Sequence, residues 1–136
     1  AFNFAVEIEG LITGGFSECS GLQVEVETKE YREGGVNDYV DRFAGRVKHP
    51  PLVFKRGLSE IDGLWAWYQD IARGKVRRKN GSIFLLDETR VPVMRWDFRE
   101  AIPTKWTGPE LKADNNNVAF ESVELAHRGL QWKPVA

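Results

Sequence analysis

The sequence predicts a mainly β fold: a β-sandwich or partly closed antiparallel barrel of about six or seven strands, with one flanking α-helix near residues 59–73. Three observations predict it. Apolar and polar residues alternate with period two in several separate segments. Glycine pairs, prolines and an Asp-Asn cluster punctuate those segments as turns. A single stretch carries apolar residues at helical spacing.

The elements follow in chain order. Over residues 2–8, Phe2, Phe4, Val6 and Ile8 alternate with Asn3, Ala5 and Glu7, the pattern of a half-buried strand. Gly10 ends it, and Gly14-Gly15 supplies turn freedom. Over 22–32, Leu22, Val24 and Val26 are expected to face the core, with Gln23, Glu25, Glu27 and Lys29 on the other side. Residues 34–51 are polar, contain glycines and end in Pro50-Pro51, which cannot continue a ladder. They read as a long projecting loop or loose hairpin, and long ordered loops are usually functional.

A short strand is expected at 52–56. Ser59-Glu60-Ile61-Asp62 has the spacing of a capping box with Asp in the acidic place. Ile61, Leu64, Trp65, Tyr68, Ile71 and Ala72 then form one stripe, and Gly74 stands where a helix-ending glycine belongs. Asn80-Gly81 reads as a turn, 83–86 as a strand and 87–90 as the next turn. Over 91–101 the alternation slips between Val93 and Met94, predicting a bulge near Val93. Pro103, Gly108 and Pro109 mark a loop, and 114–117 a turn. Residues 118–127 are the expected last strand, with a second bulge between Phe120 and Val123. All 136 residues fit one domain.

Composition narrows the function. At 42% hydrophobic residues the chain can build a core without disulfides or metal, and Cys19, its only cysteine, permits no intrachain disulfide. This suits assembly in a reducing cytoplasm. A net charge of -1 argues against a generic nucleic-acid binder. No apolar run approaches the roughly 20 residues of a membrane helix, so direct membrane insertion is not expected.

Catalytic and ligand-binding patterns are missing. His49, His127 and Cys19 lack the spacing of zinc ligands. Gly15-Phe16-Ser17-Glu18-Cys19 is not a nucleophile elbow, and nothing in the spacing selects a Ser17-His127-Asp87 triad. The pairs Glu7/Glu9 and Glu25/Glu27 each lie on one strand face, not across a cleft as a glycosidase requires. No phosphate-binding glycine motif occurs. Neither an enzyme nor a cofactor is expected. The basic run Lys75-Val76-Arg77-Arg78-Lys79 reads as a solvated loop or a protein contact. Trp65, Tyr68, Trp96 and Phe98 sit at core phases. Trp67, Trp106 and Trp132 fall outside them and are candidates for burial by a neighbouring molecule.

Several blocks together resemble a known family. They are Phe4-x-Val6-x-Ile8-x-Gly10, Gly14 through Leu22, Glu30 through Asp38, Leu52 through Leu58, Leu64-Trp65-x-Trp67, Ala101 through Pro109, and Val118 through Leu130. In this order they cover nearly the whole chain. They resemble the inner-tube proteins of phage-tail-like extracellular contractile injection systems. Contractile phage tail tubes and the haemolysin-coregulated protein of type VI secretion are similar more distantly.

The resemblance implies two packed antiparallel sheets with a helix on the flank, a homohexameric ring, and rings stacked into a hollow tube inside a contractile sheath. The implied partners are copies of the chain, a sheath protein, baseplate or tube-initiator and cap proteins, and protein cargo in the lumen (DNA if the particle is a phage). Assembly in a bacterial or archaeal cytoplasm, into a particle released or acting extracellularly, is likewise implied. Gln23, Glu25, Glu27 and Lys29, joined by Arg95, Asp97 and Arg99, are expected to face the lumen. The segment 34–51 corresponds to the ring-stacking loop, with Gly34, Gly35, Asn37, Asp38, Tyr39, Arg42 and Phe43 as its contact residues. Arg77, Arg78 and Lys79 are expected to face the sheath. A baseplate-proximal tube initiator and a phage tail tube share these features. A monomeric ligand-binding β-domain is the alternative from another class, and would need an apolar pocket with convergent polar groups.

Overall fold

The computed structural model describes residues 3–11, 15–31, 41–57, 63–111, 113 and 119–135, with backbone alone at 30, 31 and 41–43. The described elements are β1 (Asn3–Ile8), β2 (Glu18–Ser20), β3 (Glu25–Tyr31), β4 (Asp41–Lys48), β5 (Leu52–Gly57), α1 (Gly63–Ala72), β6 (Lys79–Leu86), β7 (Pro92–Thr107), β8 (Phe120–Ala126) and β9 (Gly129–Lys133).

Strand β7, 16 residues long, organises the fold. Its first part pairs β6 on one side and β9 on the other; from Ile102 onward it pairs β8 instead. The change falls beside Glu100, whose φ is 54°, an uncommon conformation for a non-glycine residue. The Asn80 side chain accepts the Glu100 N–H at 3.0 Å, and Arg78 donates to its carbonyl at 2.9 Å. The seven-stranded path β1-β6-β7-β8-β5-β2, with β9 also on β7, is thereby bent into two sheets. Sheet 1 is β1-β6-β7-β9 and sheet 2 is β7-β8-β5-β2, all antiparallel. Its end strands do not meet, so the arrangement is sandwich-like and not a closed barrel.

The core lies between the sheets. Val6, Ile8, Ile83 and Phe98 come from sheet 1, and Leu52, Phe54, Val123 and Leu125 from sheet 2. Phe54 and Phe98 approach to 6.5 Å between ring centroids. Gly81 explains how the rings fit. A Cβ there would lie 2.3 Å from Cζ of Phe98 and 2.6 Å from the Glu7 carbonyl oxygen. Asn80-Gly81 is therefore part of β6, where the ring takes the missing side chain's place, and not the turn its dipeptide predicts. Within sheet 2 the buried Arg56 pairs with Glu121 at 2.5 Å, and the Trp106 indole donates to the same carboxylate at 3.0 Å.

Helix α1 packs on β7 through a different face from the expected one. Leu64 and Trp67 are buried, with Ile71 half-buried beside them. The Trp67 indole donates to the Arg77 carbonyl at 2.8 Å. Trp65 stacks on Tyr68 and meets Trp106 edge-on at 4.9 Å, forming a cluster on the helix flank. Gly74, at φ 87°, ends the helix as expected. Lys75 N–H donates to the Asp70 carbonyl at 2.8 Å and Gly74 N–H to that of Ile71 at 3.0 Å, the two bonds of a Schellman motif. The expected capping box at 59–62 lies outside the described residues.

The bulge expected near Val93 is present: Leu85 pairs Met94 and Leu86 pairs Pro92, leaving Val93 as the extra residue. The second bulge falls on β7, between Pro103 and Lys105, while β8 pairs β5 without a shift. Pro103 is buried within β7 and not in a loop. Strand β9 lies beyond the expected last strand.

Candidate functional site

Strands β3 and β4 form a two-stranded ribbon apart from the sandwich. It continues the β2–β5 hairpin in one register. Glu18 pairs Lys55 and Ser20 pairs Val53; beyond a break, Glu25 pairs Lys48 and Val26 pairs Val47 with the same offset. Gly21 and the Pro50-Pro51 pair make the break. Gly21 has φ 92°, and a Cβ there would stand 2.1 Å from the Pro51 carbonyl oxygen. The segment expected as a loop is thus in part strand β4, and the ribbon is an arm of sheet 2.

Among the described residues no other strand or helix packs on this arm. Leu22, Val24 and Val26 do not reach the core: they are 37%, 51% and 50% exposed, and Val47, opposite Val26, is 50% exposed. The alternation is present, but among the described residues no element covers its apolar face. Glu25, Glu27 and Lys29 occupy the other face, where Glu27 pairs with Lys48 at 2.9 Å.

Arg95 and Asp97 lie elsewhere, on the face of sheet 1 turned away from the core, with Arg99 following them along β7. Asp97 accepts from Ser82 at 2.6 Å and from Arg95 at 2.7 and 3.0 Å, and meets Lys133 at 3.1 Å. The Arg95 bond above all, with those of Ser82 and Lys133, holds its carboxyl well below the usual carboxylate range. The lumen set read from the sequence is therefore divided between two separate sheets. The same face lines an open cleft of about 1100 Å³, with Glu7, Glu9 and Arg99 also at its walls. It is charged and its central carboxylate is already satisfied, unlike the apolar pocket a ligand-binding domain requires.

Ser17, Asp87 and His127 each have separate partners. Ser17 donates to the Lys55 carbonyl at 3.1 Å. Asp87 accepts from Thr89 and Val91 in its turn. His127 places Nδ1 3.1 Å from the Gly129 carbonyl oxygen and Nε2 3.1 Å from that of Pro50. No group of three or more potential metal ligands occurs among the described residues. Burial pushes the half-buried Cys19 thiol up to about 11, the behaviour of an inert packing residue. Arg77 is exposed, whereas Arg78 and Lys79 are half-buried. Gly34, Gly35, Asn37, Asp38 and Tyr39 lie outside the described residues, as do the side chains of Arg42 and Phe43.

Among the described residues the outstanding surface is thus an arm on which no other element packs. The family model for the T4-like virus tail tube protein gp19 matches residues 1–131. The chain belongs to this tail tube family. Its function is structural, as a protomer of a tube. This tube protein is 28% identical to a chain in the cryo-EM structure of the anti-feeding prophage (AFP) baseplate, with a TM-score of 0.86 over 98% of this chain and 93% of that one. It is 25% identical to a chain of the sheath-tube complex of PVC, an extracellular contractile injection system, in the extended state; the TM-score is 0.85, covering 98% and 89%. Hcp1 from Flavobacterium johnsoniae, 11% identical, shares the fold with a TM-score of 0.59 over 97% and 95% of the two chains. No curated protein matches the tube protein. Among its described residues, no helix is long and apolar enough to cross a membrane.

Proposed function

We propose that this tube protein closes into hexameric rings, which stack into the hollow inner tube of a contractile injection machine. A sheath surrounds the tube, baseplate and cap proteins bound its ends, and contraction delivers a cargo through it. The subunit performs no catalysis. It assembles in the cytoplasm into a phage-tail-like particle that acts outside the cell. The likenesses to a chain of a six-fold symmetrised baseplate and to one of a sheath-tube complex support this reading.

The observation that carries it is the arm. A two-stranded ribbon is marginal in water unless something packs on it. Here its valine face is half exposed, and among the described residues sheet edges β1, β2 and β9 have no further strand paired to them. Copies arranged head to tail cover such surfaces and close into a ring. Once the valine face is covered, Gln23, Glu25, Glu27 and Lys29 are left for the bore. Their mixed signs keep it hydrated without a strong preference for cargo charge. Arg95 and Asp97 instead stabilise sheet 1 as an ion-paired cluster, with Arg99 on the same strand. The segment containing Gly34, Gly35, Asn37, Asp38, Tyr39, Arg42 and Phe43 serves as the stacking contact between rings. Arg77, Arg78 and Lys79, beyond the helix, form the contact to the sheath.

Negative-stain microscopy of the purified protein tests the reading. Rings about six subunits round, or tubes built from them, are the expected outcome. Solitary particles at every concentration and within the native machine would overturn it. A second reading, a single layer beside the baseplate, is favoured by the AFP baseplate likeness. It predicts isolated rings that never elongate.

A further inference from the structure

Sheet 1 turns into sheet 2 at one residue, and that residue is held against its own preference. Lys79 pairs Ala101 and Gly81 pairs Phe98, so Asn80 alone stands opposite both Arg99 and Glu100. This is a β-bulge, and Glu100 within it has φ 54°. A bulge that needs a left-handed residue ordinarily takes glycine there, because a residue with a Cβ is strained in that region. Such strain persists only where the surroundings over-determine it.

Three contacts supply that constraint. The peptide before Glu100 is fixed on both sides: the Asn80 side-chain oxygen accepts the Glu100 N–H at 3.0 Å, and the Arg99 carbonyl accepts the Arg128 N–H at 3.0 Å. The peptide after it is fixed through the Glu100 carbonyl, to which Arg78 donates at 2.9 Å. Both peptide planes that define the conformation of Glu100 are therefore tied. Asn80 is itself placed by the chain just past β1. Its N–H donates to the Glu9 carboxylate at 3.3 Å, and its carbonyl accepts the Glu9 N–H at 3.0 Å. Ala101, fully buried, follows at once. Relaxation of Glu100 to an extended φ would turn Ala101 out of the core and carry the rest of β7 away from β8.

We infer that Asn80 is the positioning residue of this corner: by holding Glu100 in the left-handed region it fixes the angle between the two sheets, and with it the shape in which copies meet. Of the three contacts, only that of Asn80 reaches the N–H of the strained residue itself. The claim about copies rests on the ring reading above. A contact repeated around a closed ring admits one rotation between successive copies. A subunit whose sheets meet at a variable angle still folds, but it does not close the ring.

Two sets of variants test this. Urea unfolding of the dilute subunit carrying Glu100→Gly, Glu100→Asn or Glu100→Val reads the strain. The first two are expected to raise the midpoint and the third to lower it, since glycine and asparagine tolerate a left-handed backbone and a β-branched residue does not. A flat or reversed order overturns the strained corner, whatever the state of assembly. Negative-stain counts of rings and tubes read the angle. Asn80→Ala should lower their yield about tenfold, the factor that one lost hydrogen bond commonly brings. Adding Glu100→Gly to Asn80→Ala should restore it, because glycine keeps the left-handed conformation without the Asn80 bond. Normal rings from Asn80→Ala overturn the inference and leave the ring reading standing. A loss that Glu100→Gly does not restore overturns it as well, by showing that Asn80 acts elsewhere in the fold. If the parent protein forms neither rings nor tubes, the ring reading fails and takes the claim about copies with it, while the urea series still decides the corner.

Discussion

Trp67 and Trp65 sit two residues apart on one helix and should respond very differently to truncation. Trp67 is 3% exposed and its indole N–H is bonded to the Arg77 carbonyl. Trp67→Ala is expected to cost about 3–5 kcal/mol, through a cavity and an orphaned carbonyl. Trp65 is half-buried against Tyr68 and Trp106 at the domain's flank, so Trp65→Ala should cost about 1–2 kcal/mol, below the full-burial range. Urea unfolding of both variants checks the order; equal losses would show that both indoles share one core. Helical spacing alone favours the opposite order. The segment carries apolar residues at 64, 65, 67, 68 and 71, which support two overlapping stripes. The choice is made by Trp106, arriving from a distant part of the chain to occupy the Trp65 side. Alternation likewise puts Arg95 and Asp97 on an outward face without saying of which sheet, because that depends on how β7 bends at Glu100.

Among the elements, the continuous hairpin from β2–β5 into β3–β4 depends on one kink. Gly21 stands in the left-handed region with the Pro51 carbonyl where its Cβ would be. Gly21→Ala is expected to destabilise the domain by about 1–3 kcal/mol from backbone strain, with clash adding to it. Gly15→Ala, where nothing stands within 4 Å of the added carbon, should stay within about 0.5 kcal/mol of the parent. A neutral Gly21→Ala would mean that the arm swings freely on its base. The strands themselves were legible because one face of each is apolar, and the bulge at Val93 was visible as a slip in that pattern. What covers an apolar face was not legible: the arm valines read as core because alternation records a need for burial and not who meets it. Pro103 read as a strand breaker. It is tolerated because this part of β7 is an edge of sheet 2, bonded to β8 on one side, where a missing N–H costs little. Strand β9 is too short to declare itself by periodicity and is defined by its pairing with β7.

For the molecule as a whole, stability against acid should fall in two steps, because the groups with lowered pKa values belong to two classes. Burial lowers the His127 pKa from its ordinary 6.5, against the opposing pull of the Gly129 carbonyl, with the His49 charge adding to the lowering and the Pro50 carbonyl opposing it. A depressed imidazole binds protons more readily when unfolded, so its contribution is complete above pH 6.5 and is lost as pH falls through the lowered folded value. Asp97, held down by Arg95, and Asp87, held down by the Val91 N–H, have the same sign at lower pH. Their contributions are complete above the ordinary carboxylate value of 3.8 and disappear as pH drops below it. The unfolding free energy of dilute, unassembled protein should therefore be level near pH 7–8, decline below about pH 6.5 and decline again below about pH 4. His127→Gln should flatten the first step and Asp97→Asn should reduce the second. Dilution matters because assembly binds the native chain alone and adds its own stabilisation, which would mask the upper step in rings. Since His127 lies against the Pro50 carbonyl at the base of the arm, its protonation bears on the element through which copies join. Urea midpoints measured from pH 8 to 3 decide the matter: a curve level from pH 7.5 to 5 in the parent protein would show that His127 is not held neutral in the fold.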